Sequence, residues 1–201
     1  GLIDQRLANI DKVDRFLADR PELVTPELRL LSRATWNRHV LEAKIESEDD
    51  LRRLTSLLRS DAQGIVTGRL MGALPMYIKA NEGRLPESPM QLAPFLPGDG
   101  TGMVVTPALL EGFEMVRTGL ASDVPPTQPS GRRTFVIVPK AVADLEYDKI
   151  NWVGIGSTGP IDAAVYNLTV ARERFAQANG RAATRPEELE PYLKWPVSTP
   201  D

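Results

Sequence analysis

Two segments of this 201-residue chain repeat one another, and the repeat restricts the possible folds more than any other feature. The segment ALPMYIKANEGRLPESPMQLAPFL begins at Ala73, and ARERFAQANGRAATRPEELEPYL begins at Ala171. With one residue skipped near Glu82, eight positions from Ala80 and Ala178 onward are identical, and others exchange similar residues, such as Tyr77 for Phe175. So many matches in one order predict a structural unit that is used twice.

Each unit has the pattern of a helix that ends in a turn and is followed by a short second helix. Asn and Gly tolerate the left-handed conformation that closes a helix, so they are predicted to be caps. Pro89 and Pro186 should lie in the first turn of the short helices. The aromatic residues are predicted to anchor small cores, with a binding surface as the alternative. These caps and anchors are Asn81, Gly83, Phe95, Asn179, Gly180 and Tyr192.

Residues 1–60 have the pattern of a helical arm. Apolar residues recur every three or four positions from Ile3 to Leu17 and again from Leu51 to Leu58, as on one face of a helix. Burial of each Leu or Ile is worth about 1.5–3 kcal/mol. We therefore expect the arm to fold on itself, to cover the core of the repeat units or to associate with another chain.

The chain between the two units differs from both. Residues 119–131 hold three prolines without periodicity and are predicted to form a loop. The β-branched segments 134–138 and 150–155 are strand candidates that could pair. The predicted fold is α+β and mainly α: a helical arm (1–60), a first repeat unit (61–118), a loop with a small β-hairpin or two-stranded element (119–160), and a second repeat unit (161–201).

Composition excludes many kinds of chemistry. The chain has no cysteine, which excludes disulfides, thiolate catalysis and Cys-ligated metals, and its one histidine is His39. The 24 Lys and Arg against 27 Asp and Glu give a net charge of −3, unlike a protein held by nucleic-acid phosphates. No apolar run approaches the ~18 residues of a membrane span. We predict no catalytic residue, metal site, cofactor or nucleic-acid partner.

One glycine-rich motif matches the pattern of a dinucleotide-binding loop. Gly154-Ile155-Gly156-Ser157-Thr158-Gly159 follows a strand candidate and precedes a helical pattern. A second parallel strand ending in an acid should then follow about 20 residues later, but the second repeat unit occupies that region. The motif is therefore predicted to be a strand-to-helix turn without a nucleotide.

The unit ANxGxxPxxxxQLxPFL resembles a repeated element of uncharacterised bacterial proteins, some of which carry it in tandem. The likeness covers roughly residues 65–195 and implies no activity, so no catalytic residue is carried over. A weaker likeness is to the globular domains of type II secretion pseudopilins, through Tyr77, Asn81 and Gly83. The chain departs from pseudopilins because it lacks their hydrophobic N-terminal helix and repeats the unit.

These features favour a non-catalytic interaction or scaffold module, with a protein partner or self-association. The chain begins with Gly1, so we expect it to be excised from a longer or N-terminally anchored precursor, with an extracytoplasmic location favoured. One alternative is a small-ligand-binding or enzymatic domain whose site consists of scattered polar residues. The other alternative is a pseudopilin-like assembly protein.

Overall fold

The computed structural model describes residues 2–96, 105–125 and 134–195, with side chains from residue 7 onward. The predicted α+β, mainly α class is confirmed. Residues 126–131 of the expected loop lie outside the described part. The helices are α1 (Leu2–Asp19), α2 (Arg33–Glu42), α3 (Glu48–Ala80), α4 (Pro107–Leu110) and α5 (Ala163–Asn179). The strands are β1 (Phe113–Met115), β2 (Ile137–Pro139), β3 (Lys149–Gly154) and β4 (Ser157–Asp162). The short 3-10 helices are Pro21–Leu23, Pro26–Leu30, Pro89–Phe95, Ala121–Asp123 and Pro186–Tyr192.

Helix α3 is 33 residues long and runs without a break past residues 60 and 61, where the expected arm and first unit meet. A reciprocal capping box starts it, because Ser47 accepts from the Asp50 N–H and Asp50 accepts from the Ser47 N–H. Its first half packs on the arm and its second half on the first unit.

The arm, which includes the first turns of α3, forms a small core of its own. Val13 of α1, Val40 of α2 and Leu58 of α3 are fully buried in it. The Asn9 side chain donates to the carbonyl oxygens of Val40 (3.3 Å) and Ala43 (2.9 Å), which ties α1 to the end of α2. The arm therefore folds on itself, with α1 and α2 packed on the first turns of α3.

The sheet is larger than the predicted two-stranded element. Four antiparallel strands lie in the order β1-β2-β3-β4, and β3 pairs with β4 along six residues of each. Alternate side chains of the sheet face opposite layers. Ile137 and Val153 pack in the core of α3, whereas Val138 and Trp152 pack in the core that includes Tyr166 of α5.

The prediction of a strand-to-helix turn at Gly154–Gly159 is wrong. These residues form a hairpin, in which Gly154 pairs with Ser157 and the chain reverses at Ile155 and Gly156. Gly156 has φ +70°, a left-handed conformation that glycine adopts without steric cost. Helix α5 begins only at Ala163, after β4. Long pairing with β3 outweighs the weak strand preference of a segment rich in Gly and Pro.

The helices of the described ranges include none that is long and apolar enough to cross a membrane.

Candidate functional site

In the first repeat unit, the short 3-10 helix folds back onto the end of α3. The rings of Tyr77 and Phe95 meet edge to face, with centroids 5.6 Å apart at 77°. The Asn81 side chain donates to the Tyr77 carbonyl oxygen at 2.9 Å and is the C-cap residue of α3. Before the short helix, the Glu87 N–H donates to the Gln91 side-chain oxygen at 2.7 Å.

The second unit makes the corresponding contacts at the end of α5. The rings of Phe175 and Tyr192 meet edge to face, with centroids 5.5 Å apart at 77°. The Asn179 side chain donates to the Phe175 carbonyl oxygen at 2.9 Å. The Thr184 N–H donates to the Glu188 carboxylate at 2.8 Å. The aromatic residues exchange places between the units, because Tyr is on the long helix in one and on the short helix in the other.

The turns of the two units are similar, although the first has one more residue, Glu82, which has φ +54°. Pro89 and Pro186 each begin a 3-10 helix, and the next apolar residues, Leu92 and Leu189, are buried. The glycines of both turns have positive φ: +82° at Gly83 and +66° at Gly180. All six caps and anchors therefore make structural contacts within their own unit.

A cleft of 640 Å³ lies beside the second unit. Its walls come from the segment after α1, the first turns of α3, the loop between β2 and β3, and the first turns of α5. This volume is within the ~300–1,000 Å³ range of ligand pockets. The apolar residues that line the cleft, here called its floor, are Leu23, Ala143, Leu145, Ala164, Leu168 and Leu193.

Helix α5 presents apolar side chains to solvent at this cleft. Leu168, which lines it, is 45% exposed, and Val165 one turn earlier is 50% exposed. Residues three apart on a helix lie on the same face. The apolar surface of α5 therefore extends beyond the cleft.

The charged rim of the cleft centres on Arg52 of α3. Its Nε and Nη2 atoms donate to the two carboxylate oxygens of Asp144, at 2.8 and 2.9 Å. Nη2 also lies 3.1 Å from the Glu146 carboxylate. Burial by itself raises the pKa of Asp144, but the hydrogen bonds and charge of Arg52 outweigh it and hold this pKa below its ordinary value. The same pairing raises the pKa of Arg52.

The walls of the cleft are tied together by buried polar groups that sequence analysis missed. The Ser56 hydroxyl donates to the Tyr147 carbonyl oxygen at 2.6 Å. Arg59 pairs with Asp148 inside the protein, with Nη2 and Oδ1 2.5 Å apart. Ser56, Arg59 and Gln63 lie at helical spacing on α3, which is a detectable pattern, but the sequence alone does not show that this polar face is buried.

Another, smaller cavity of 280 Å³ lies between the sheet and α5. Lys194 lines it, pairs with the Glu114 carboxylate and donates to the Pro139 carbonyl oxygen at 2.8 Å. Burial lowers the pKa of Lys194, and the pairing with Glu114 opposes this shift. These contacts hold the end of the second unit on the sheet.

His39 lies outside both cavities. Its Nε2 atom is 2.7 Å from the Asp61 carboxylate, so the pair links α2 to α3. Within the described part of the chain, no group of three or more His, Asp and Glu residues is placed to hold a metal ion.

A scan against protein-family models and searches of curated proteins and of solved structures found no match to this chain. The likenesses to the tandem-unit bacterial proteins and to pseudopilins therefore stay predictions.

Proposed function

We propose that this chain is a protein-interaction module and that the cleft beside the second unit binds an amphipathic segment of a partner protein. The observation that carries the proposal is the apolar floor, which includes the exposed Leu168, together with the exposed Val165 beside it. An amphipathic helix that lays its apolar face in such a groove is a recurring mode of recognition.

The rigidity of the cleft supports the proposal. The Asn167 side chain, on one wall, donates to the Trp195 carbonyl oxygen at 2.8 Å and accepts from the Trp195 N–H at 3.0 Å. Arg52 and Ser56 tie the opposite wall to the loop between β2 and β3. A groove that is already ordered loses little conformational entropy when a partner binds, which favours affinity.

The two repeat units support the proposal as building blocks. We propose that they are one structural unit used twice, because their aromatic pairs and the hydrogen bonds from their asparagine side chains to the helix backbone correspond. The short helix of the first unit packs in the core formed by the second half of α3. The second unit contributes Leu193 to the wall of the cleft. In this proposal the two units hold the core on α3 and the wall of the cleft in place.

Self-association through the arm is a second part of the proposal. Leu7 of α1 is 57% exposed, although it belongs to the apolar face that buries Val13. Covering this leucine in a dimer would extend the core of the arm. Light scattering across protein concentration tests this, and we expect a Leu7→Glu variant to be more monomeric than the parent chain.

A small-molecule ligand is the second candidate function, favoured by the volume of the cleft and its mixed lining. The two functions differ in what they require of the exposed face of α5. A small ligand would contact the floor alone, whereas a helical segment would also contact Val165 outside it.

The experiment is a calorimetric titration with a neutral helical peptide whose apolar face is leucine and whose other face is glutamine. We expect binding by the parent chain and at least tenfold weaker binding by Leu168→Glu. The matched control is Met76→Glu, because Met76 is 53% exposed and lies outside the lining of the cleft. Equal affinities of the parent chain and Leu168→Glu would contradict the proposal.

A further inference from the structure

Resting on the proposed function, we infer that the segment bound in the cleft is basic, with Lys or Arg beside its apolar face. The inference comes from the charges around the cleft, which carries more carboxylates than its own guanidinium groups can neutralise. Two guanidinium groups face four carboxylates among the lining residues. These charged residues are Arg20, Arg52, Glu22, Glu48, Asp144 and Glu146.

The excess negative charge is concentrated around one arginine. Arg20 pairs with Glu48 at 2.5 Å, so these two charges neutralise each other. Arg52 forms ion pairs with Asp144 and Glu146, and its Nη1 atom also lies 3.7 Å from the Asp49 carboxylate. Three carboxylates therefore lie within 4 Å of Arg52, and the neighbouring Arg53 guanidinium stacks on the Tyr147 ring at 4.7 Å.

The carboxylates are placed where a bound segment could reach them. Glu146 is exposed on the loop between β2 and β3, with 63% of its side chain accessible. Glu22 is exposed on the other side of the cleft, and no cationic group in the described ranges pairs with it. Asp144 is buried and both of its carboxylate oxygens accept from Arg52, so the carboxylates that a bound segment could reach are Glu22 and Glu146.

An apolar floor strengthens the field of these charges. Charges of one sign beside low-dielectric walls concentrate counter-ions and raise association rates. A segment with leucines toward the floor and lysines toward Glu22 and Glu146 would satisfy both features of the cleft. An acidic segment would be repelled by the same carboxylates.

A second copy of this chain is a less suitable occupant, because its net charge is −3. It is nevertheless an outcome that the experiment distinguishes. If the free protein forms a dimer that Leu168→Glu dissociates, the cleft binds a second copy and the inference is overturned.

The experiment uses two helical peptides with identical leucine positions, one with lysines and one with glutamates on the polar face. At low ionic strength we expect the lysine peptide to bind the full chain at least tenfold more tightly. The difference should shrink as salt is raised, because exposed charges are screened within about 10 Å at 0.1 M.

Charge reversal in the cleft provides the decisive comparison. The double variant Glu22→Lys/Glu146→Lys should prefer the glutamate peptide, whereas the control Glu111→Lys, at an exposed carboxylate outside the cleft, should keep the preference of the parent chain. Equal binding of both peptides would overturn the inference and leave the proposed function standing. Binding of neither peptide would overturn both.

Discussion

Arg59 and Asp148 form an ion pair inside the protein, although they are 89 positions apart in the chain. Arg59 also donates to the Leu23 carbonyl oxygen at 3.2 Å. The second carboxylate oxygen of Asp148 accepts from the N–H groups of Ala143 (3.0 Å) and Asp144 (2.9 Å). This one pair therefore holds the arm, α3 and the loop between β2 and β3 in the arrangement that makes the cleft.

Asp148→Ala should lower the free energy of unfolding by about 3–5 kcal/mol, because it leaves the Arg59 charge buried without a partner. Arg20→Ala, in the exposed Arg20–Glu48 pair, is the matched control and should cost at most about 1 kcal/mol. Denaturant unfolding followed by circular dichroism measures both. Similar losses in the two variants would mean that burial does not strengthen this pair.

Gly154→Ala should destabilise the protein by about 1–3 kcal/mol, the usual cost of overpacking. A Cβ atom at Gly154 would lie 2.6 Å from the Thr134 carbonyl oxygen, which is backbone and cannot easily move away. Gly159→Ala in the paired strand is the control, since its Cβ would have no atom within 4 Å. Thermal unfolding of the two variants checks this, and equal midpoints would contradict the close approach at Gly154.

Gly83→Ala and Gly180→Ala should each cost about 1–2 kcal/mol, because alanine is strained at positive φ. If the units are one structure used twice, the two losses should agree within about 0.5 kcal/mol. Gly68→Ala, inside α3 and with open space around its Cβ, should stabilise the protein by up to about 1 kcal/mol. Urea denaturation measures the free energy of unfolding of the three variants. If only one of the two turn variants lost stability, the two units would not share one structure.

The second unit should lose stability in acid through Glu188. A hydrogen bond from Arg181, followed by the N–H groups of Thr184 and Arg185, lowers the pKa of Glu188 to about 2 from an ordinary 4.5. Because the folded pKa is the lower one, this stabilisation is complete above pH 4.5 and is lost as pH falls toward 2.

The measurement for this prediction is the difference in unfolding free energy between the parent chain and Glu188→Gln across that pH range. It should shrink as pH falls. Glu187→Gln, at the exposed neighbouring position, is the control. The first unit makes the same backbone contact with Gln91, which does not titrate, so its stability should not change through this group. A constant difference from pH 5 to pH 2 would refute the role given to Glu188.

The turns of the two units could be anticipated because their contacts are local. Asn81 bonds a carbonyl four residues earlier, and Phe95 reaches a ring 18 positions away on the preceding helix. By contrast, the cleft joins residues that are far apart, such as Arg52 and Asp144 at 92 positions. Periodicity and turn chemistry carry no information about such pairs, so the cleft could not be predicted.

The sequence by itself determined the class of the fold and the ends of α3 and α5, because helix periodicity and the Asn and Gly residues of the turns act within a few residues. Tertiary structure decided three other features. It added β1 and β4 to the sheet, since strand pairing supplies the backbone partners that these segments do not provide locally. It kept α3 continuous past Gly64, where residues such as Ser60 bond Asn151 of β3. Finally, it placed Arg59 inside the protein, because only the folded chain brings Asp148 close enough to neutralise a buried charge.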